Sequence, residues 1–484
     1  MSDVSQAAPI DPGLGGPRLA RSAGWMVGSH LLAQTFAYGS LILLARWLAP
    51  ASFGTLAVGS AVVYVAVLFV DQGALGGIIV RQRLTRADLV GTFWRCLLTA
   101  SVLAAAMAAA AGLLVDRFAS GGDAAAVAAL ALCLPLHAVA VVPTALLQKS
   151  MQFRRLAGLN AVANVVSAAV AVLMAVEGFG VWALVARQLL AFGVLALVTP
   201  ALCFGAWREY RSEHPVVLQE RTPDSQRWFF LFGVVLMITA NLDYLVIGSS
   251  GGAASVGLYA LALTIAMAPS THISEQLGKV LFAASALAPE SSRERTEQAV
   301  RLMSMLFLPL LPVGILLAPN VLPAVLGEQW RPMVVAFQLL LIVGVGQAIL
   351  NCIGETLSGN GNIEFRAKVM VARCVATLGA LLVLVSIDGI RGAALAQLLV
   401  FMPYAVIYVT AGARRAGTSA GALWRRLRPV AGALAAQLVV TVAVLTVLSA
   451  CGRTPSVASG VAAGVGLACC VPVLFRLARR EMPS

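Results

Sequence analysis

Apolar runs of about twenty residues recur along this chain, separated by short polar breaks. They can be marked at about 23–44, 55–80, 90–115, 124–147, 156–176 and 181–204. After a polar gap come 228–248, 256–282, 302–318, 333–357, 369–387 and 393–412, and two more lie near 429–450 and 456–475. Runs this long fit helices crossing about 30 Å of hydrocarbon, and they exceed the 9–11 residues of a barrel strand. The pattern predicts an all-α polytopic membrane protein with about fourteen transmembrane helices.

Composition agrees. Of 484 residues, 60% are hydrophobic and 11% charged, and the mean hydropathy is +0.89, whereas a soluble domain carries about 25% charge. Residues 1–22 are polar and rich in Gly and Pro, without the apolar core of a signal peptide, so they read as a disordered cytoplasmic tail.

The net charge of +13 changes meaning once its positions are marked. With both termini cytoplasmic, 28 of the 34 Lys and Arg residues fall at or near the inner face and five in outer loops. That is the positive-inside pattern, a topology signal with no nucleic acid behind it. All eight tryptophans lie within a few residues of a predicted helix end, as an interfacial belt requires.

The two halves share a design. F53GTLAVGSAVVY opens the second span and V256GLYALALTIAM the eighth, while F153R154 precedes G180VWAL by the interval that separates F365R366 from G392AAL. The organisation expected is a six-helix N-lobe (23–204), a cytoplasmic linker (205–227) and a six-helix C-lobe (228–412). A second linker (413–428), two appended helices (429–475) and a short cytoplasmic tail (476–484) complete it. Parallel repeats place a site between the lobes near the midplane. No outer loop is long enough for a catalytic domain. No HExxH, Walker A, GxSxG or paired Cys/His arrangement is present, so neither an enzyme nor a metal site is expected. The cysteines read as small buried hydrophobes.

Polar residues inside apolar runs are the candidate chemistry, because an ionisable group there is costly and usually faces a bundle interior or water. Asp71, in D71QG73, reads either as a cavity carboxylate that takes a proton or a cation, or as a partner of Arg81 or Arg83. Asp243 and Asn241 share the seventh span but not a face, so one can border a cavity while the other meets a neighbouring helix. Arg187 could neutralise Asp243, bind an anionic headgroup or snorkel to the surface. Glu275 and Lys279 have ion-pair spacing, beyond a kink expected at Pro269. Two stripes follow one helix face each: Asn160, Asn164 and Ser167, and Gln347, Asn351 and Glu355. Either could line a hydrophilic path or glue helices together.

Several stretches carry a resemblance. LLARWLAPASFGTLAVGSAVVYVAVLFVDQGALGGIIVRQ (43–82), LLQKSMQFRRLA (146–157), GVWALVARQLL (180–190), NLDYLVIG (241–248) and GLYALA (257–262) resemble Wzx-type polysaccharide exporters. These form part of the multidrug/oligosaccharidyl-lipid/polysaccharide superfamily, and the likeness is to its WzxC-like branch. The resemblance implies two six-helix lobes around an alternating-access cavity in the bacterial inner membrane. The cargo it implies is an undecaprenyl-pyrophosphate-linked oligosaccharide repeat unit, flipped for exopolysaccharide or O-antigen assembly. A proton or Na+ would be the coupling ion, with no cofactor, and the partners would be membrane lipid and the polymerase and export machinery. Related lipid flippases carry cations in the first span, where this chain has only His30 and Gln34, so pyrophosphate recognition is expected elsewhere, at Arg187 or Lys279 or near the inner mouth. The alternatives are a drug/cation antiporter of the same superfamily and, from another class, a membrane glycan polymerase or ligase.

Overall fold

In the computed structural model, residues 36–71, 86–149, 152–209, 223–287, 289–450 and 461–470 except 463, 467 and 469 are described. His30 and Gln34, and the arginines offered as partners of Asp71, lie outside them. Ten helical runs among the described residues are long and apolar enough to cross a bilayer.

The helices used below are α1 (Phe36–Trp47), α2 (Pro50–Asp71), α3 (Arg86–Phe118), α4 (Ala124–Leu130) and α5 (Cys133–Lys149). They continue with α6 (Phe153–Val176), α7 (Val181–Glu209), α8 (Pro223–Ala266) and α9 (Glu275–Leu287). Beyond them lie α10 (Ser292–Phe307), α11 (Leu310–Leu326), α12 (Val334–Gly359), α13 (Ile363–Ile407) and α14 (Ala420–Ala450).

Two of these runs are too long for one crossing. α8 has 44 residues and α13 has 45, each roughly 65 Å if straight, about twice the hydrocarbon thickness. Both fold back. In α8 the break is Gly252, with φ 67°, a left-handed conformation that glycine adopts without a Cβ clash. The proof of reversal is chemical: the Tyr259 hydroxyl donates to Asp243 Oδ2 at 2.6 Å, although sixteen residues of straight helix would span roughly 24 Å. In α13 the turn is Asp388–Gly389, with Gly389 at φ 50°. There the limbs press so closely that a Cβ on Gly392 would strike the carbonyl of Leu384. Each hairpin supplies two of the predicted spans, and both turns fall in the predicted breaks. The first and last predicted spans extend beyond the described residues.

Proline shapes two further joints. Between α8 and α9 the chain makes a π-helical turn, Pro269–Ser274, where the sequence predicts a kink. The missing proline N–H loosens the ladder, and the widened turn is pinned by Ser274, whose hydroxyl donates to the carbonyl of Ala348 at 2.6 Å. At the α10–α11 joint Pro309 caps α11, and its carbonyl accepts from Gln437 Nε2 on α14 at 2.9 Å. Val430, Ala433 and Cys470 pack beside this joint with Met305, Leu308 and Leu434.

The chain groups into two compact units. One comprises Met1–Leu44, Phe69–Ala105 and Leu132–Val217; the other comprises Ala45–Leu68, Ala106–Ala131 and Leu218–Ser484. In the first unit α6 and α7 form an antiparallel pair, and Leu89, Val142, Ala145, Leu146 and Leu147 make a buried cluster. The second unit holds both long hairpins and α12, which runs between them. With sixteen of its 26 residues buried and nine more half-buried, α12 is the spine of that unit.

Candidate functional site

The second unit contains a hollow of about 640 Å³, within the range of small-ligand sites. Both limbs of the α8 hairpin, the π-turn and α9, α12, and both limbs of α13 contribute to its wall. Its polar lining includes Thr239, Asp243, Ser270, Thr271, Glu275, Lys279, Gln347, Asn351, Glu355, Arg366, Arg373, Gln397 and Tyr404. The outside of the same helices is apolar, so the polar groups are turned inward as a bilayer requires.

Asp243 is 1% exposed, yet it borders this hollow. Gln397 Nε2 donates to both carboxylate oxygens, at 2.9 and 2.8 Å, and the Tyr259 hydroxyl to the second. The carboxylate is therefore tolerated because an amide and a phenol from two other limbs replace its hydration. Asn241, on another face, donates to the carbonyl of Met237 in its own helix at 2.8 Å. Its neighbour alone reaches the hollow.

The α12 stripe faces inward along its length. Gln347 Nε2 donates to Asn351 Oδ1 at 2.8 Å, while Gln347 Oε1 accepts from Arg373 Nη1 at 2.7 Å. Glu355 takes Arg366 Nη2 at 2.8 Å; Arg366 also donates from Nη1 to Ser358 Oγ at 2.7 Å and stacks over the ring of Phe232. Arg373 lies over the ring of Tyr404, 4.5 Å from its centroid. Glu275 and Lys279 project into the same space from α9, where Lys279 Nζ meets Gln276 Oε1 at 3.4 Å. Six predicted residues thus converge: Asp243, Glu275, Lys279, Gln347, Asn351 and Glu355.

The α6 stripe behaves differently. Asn160 and Asn164 donate back to the carbonyls of Leu156 and Asn160, and Ser167 to that of Asn164, so these groups satisfy themselves within their own helix.

In the first unit Asp71 Oδ1 meets His137 Nε2 at 2.9 Å, both side chains being partly exposed. The ring of His137 stands edge-on to Phe192, with centroids 5.9 Å apart. Arg187 donates through Nη2 to the carbonyl of Ala37 at 3.3 Å, whereas the contacts of Asp243 described above come from Tyr259 and Gln397.

Sequence reasoning missed Arg366, Arg373 and Gln397. The two arginines stand near the start of an apolar run, where the charge pattern marks them as part of the inner-face excess. Their spacing of seven residues, which puts both on one helix face, was the available signal.

A protein-family model described as "Polysaccharide biosynthesis protein" matches residues 43–335. Curated relatives include the lipopolysaccharide biosynthesis protein WzxC of Escherichia coli K12, 24% identical over 78% of this chain and 77% of its own length. The succinoglycan biosynthesis transport protein ExoT of Rhizobium meliloti is 26% identical over 77% and 75% respectively. Among solved structures, the inward closed conformation of the lipid II flippase MurJ superposes with a TM-score of 0.71, at 9% identity, over 93% of this chain and 99% of that one. An inward-facing multidrug resistance MATE transporter of the MOP superfamily scores 0.57, at 16% identity, over 81% and 98%. With apolar helices long enough to cross a bilayer many times, this fold, and a family match over more than half of its residues, the chain is a multi-pass membrane protein that belongs to the polysaccharide biosynthesis protein family.

Proposed function

We propose that this protein flips undecaprenyl-pyrophosphate-linked oligosaccharide repeat units across the bacterial inner membrane by alternating access, supplying exopolysaccharide or O-antigen assembly. The observation that carries this reading is the hollow of the second unit, where amides, hydroxyls and charged groups gather inside helices whose outer faces are greasy. Moving a sugar through hydrocarbon strips water from its hydroxyls, at several kcal/mol for each unpaired group. A lining of amides and hydroxyls replaces those bonds, while a polyprenyl tail stays in lipid. The names of the relatives and the fold shared with a lipid II flippase support the same reading.

Coupling to a proton or Na+ runs, in this proposal, through Asp71 with His137 and through Asp243. An Asp71→Asn, Asp243→Asn double variant that still exports at the wild-type rate would eliminate that route.

The deciding experiment is deletion followed by analysis of lipid-linked intermediates. Single repeat units should accumulate on undecaprenyl carriers in the inner leaflet. Their appearance in the outer leaflet would refute the proposal and point to a polymerase. A drug/cation antiporter is the second reading, favoured by the three carboxylates in the hollow and by the MATE-like fold. It predicts export of cationic dyes without dependence on glycan synthesis.

A further inference from the structure

The start of α14 carries a charged face that the hollow does not use. Arg426 turns inward, with its Nε 3.5 Å from Glu297 Oε2 on α10. That carboxylate, 6% exposed, also accepts from the Thr418 hydroxyl at 2.6 Å and from Arg293 Nε at 3.1 Å. Val430, Ala433 and Gln437 follow Arg426 on the same side of the helix and are buried. The contact with α10 thus fixes the rotation of α14 and decides what faces away from the protein.

The opposite side presents Trp424, 62% exposed, with Arg425 and Arg428 exposed beside it. Residues three apart on a helix hold their Cβ atoms about 5–6 Å from one another, so the two guanidinium groups can reach one anion. Among the described residues neither arginine has an ion-pair partner. No Asp or Glu occurs between Asp388 and Glu481, and Glu297 is already committed to its own donors.

Further along the same face the exposure continues and the chemistry changes. Gly432 and Ala435 come first, then Val439 and Val442, 69% and 57% exposed. The stretch Ala420–Val444 is long and apolar enough to cross a bilayer. Cationic and aromatic groups at its start, then a bare apolar track, match one phospholipid of one leaflet. Tryptophan settles at the headgroup level, guanidinium groups pair with phosphate oxygens in parallel bonds, and an acyl chain covers the apolar track. A free phosphate would use only the first of these features.

Charge selects among headgroups. Two cations without an acid favour a lipid of net negative charge. The ammonium of an ethanolamine headgroup would find no carboxylate on this face.

We infer that the exposed face of α14 binds an anionic bilayer phospholipid such as phosphatidylglycerol, with Arg425 and Arg428 on its phosphate and Trp424 beside its glycerol. The site is separate from the hollow, none of whose lining residues lies on α14, and it does not depend on the identity of the cargo.

The test uses the full-length protein in detergent micelles doped with phosphatidylglycerol and phosphatidylethanolamine at equal mole fraction, with retained lipids counted by native mass spectrometry. Wild type should retain phosphatidylglycerol in preference. Arg425→Gln and Arg428→Gln should each cut that preference by roughly fivefold, and the double variant by about twenty-five-fold. The single variants decide the matter should the double variant not fold. Lys368→Gln removes a positive charge that Glu364 already pairs at 2.6 Å and should leave the preference unchanged. Equal retention of the two lipids by wild type, a preference that survives the double variant, or the same loss in Lys368→Gln would each overturn the assignment. So would displacement of phosphatidylglycerol by an equal amount of a polyprenyl diphosphate, which would give this face to the cargo.

Discussion

Two regions of the second unit, both served by α8, are packed in opposite ways. Around the short connections at residues 48–54, 118–123 and 248–257, backbone meets backbone. A Cβ on Gly54 would strike the carbonyl of Ala253, one on Gly248 that of Phe118, and one on Gly257 that of Pro50. Ala253 N–H donates to the carbonyl of Ser120 at 3.1 Å. Trp330, fully buried, closes the seam by donating from Nε1 to the carbonyl of Ala45 at 2.8 Å, edge-on to Phe53. Around Asp243, only a few turns along α8, its limbs together with α9, α12 and α13 surround a hollow lined by long polar side chains. Small residues let helices touch; glutamines, arginines and tyrosines keep them apart and wet.

The comparison can be broken most severely at the seam. Gly54→Val inserts three carbons against the Ala253 carbonyl, and because backbone cannot move aside as a side chain can, the cost should exceed the about 1–3 kcal/mol typical of overpacking. Export, measured as surface polysaccharide in a complemented deletion strain, should be lost, and the purified protein should melt at lower temperature. Gly233→Ala, where an added Cβ meets nothing within 4 Å, is the control and should be silent.

In the hollow the largest effect should follow Glu355→Gln. It leaves Arg366, 9% exposed, without its carboxylate, and breaking a buried pair from one side costs about 3–5 kcal/mol. Because both partners retain some water, the lower end is expected. The double variant Glu355→Gln, Arg366→Gln should recover part of that loss in a denaturation cycle.

A smaller change sharpens the contrast. Trp330→Phe keeps the ring against Phe53 but removes the indole N–H, a loss of about 1 kcal/mol. It should lower the melting temperature by a few degrees, with export retained. The smallest effect belongs to Asn164→Ala on α6, whose amide bonds only its own helix. Stability should stay within about 0.5 kcal/mol of wild type, and export should not change.

The two stripes show what a helical period can and cannot say. Asn160, Asn164 and Ser167 have the same kind of spacing as Gln347, Asn351 and Glu355, and on paper they are equals. In the folded chain the first set turns back on its own backbone, while the second meets side chains from α13. Spacing places residues on a face but does not say what that face meets.

Much was legible before any coordinates. Long apolar runs force helices, because a bilayer offers backbone groups no other partner. Glycine and proline between runs marked both hairpin turns and the π-turn, since local backbone chemistry acts over a few residues. The carboxylate in NLD was legible as an anomaly, because its cost in lipid demands a partner wherever the chain goes. The identity of that partner was not. Tyr259 and Gln397 reach Asp243 only because two hairpins fold back and pack together. Arg373 meets Gln347 only because α12 packs against α13. Burial and periodicity are properties of a segment and can be read from it. Which polar groups meet depends on how several segments pack, and only tertiary structure decides that.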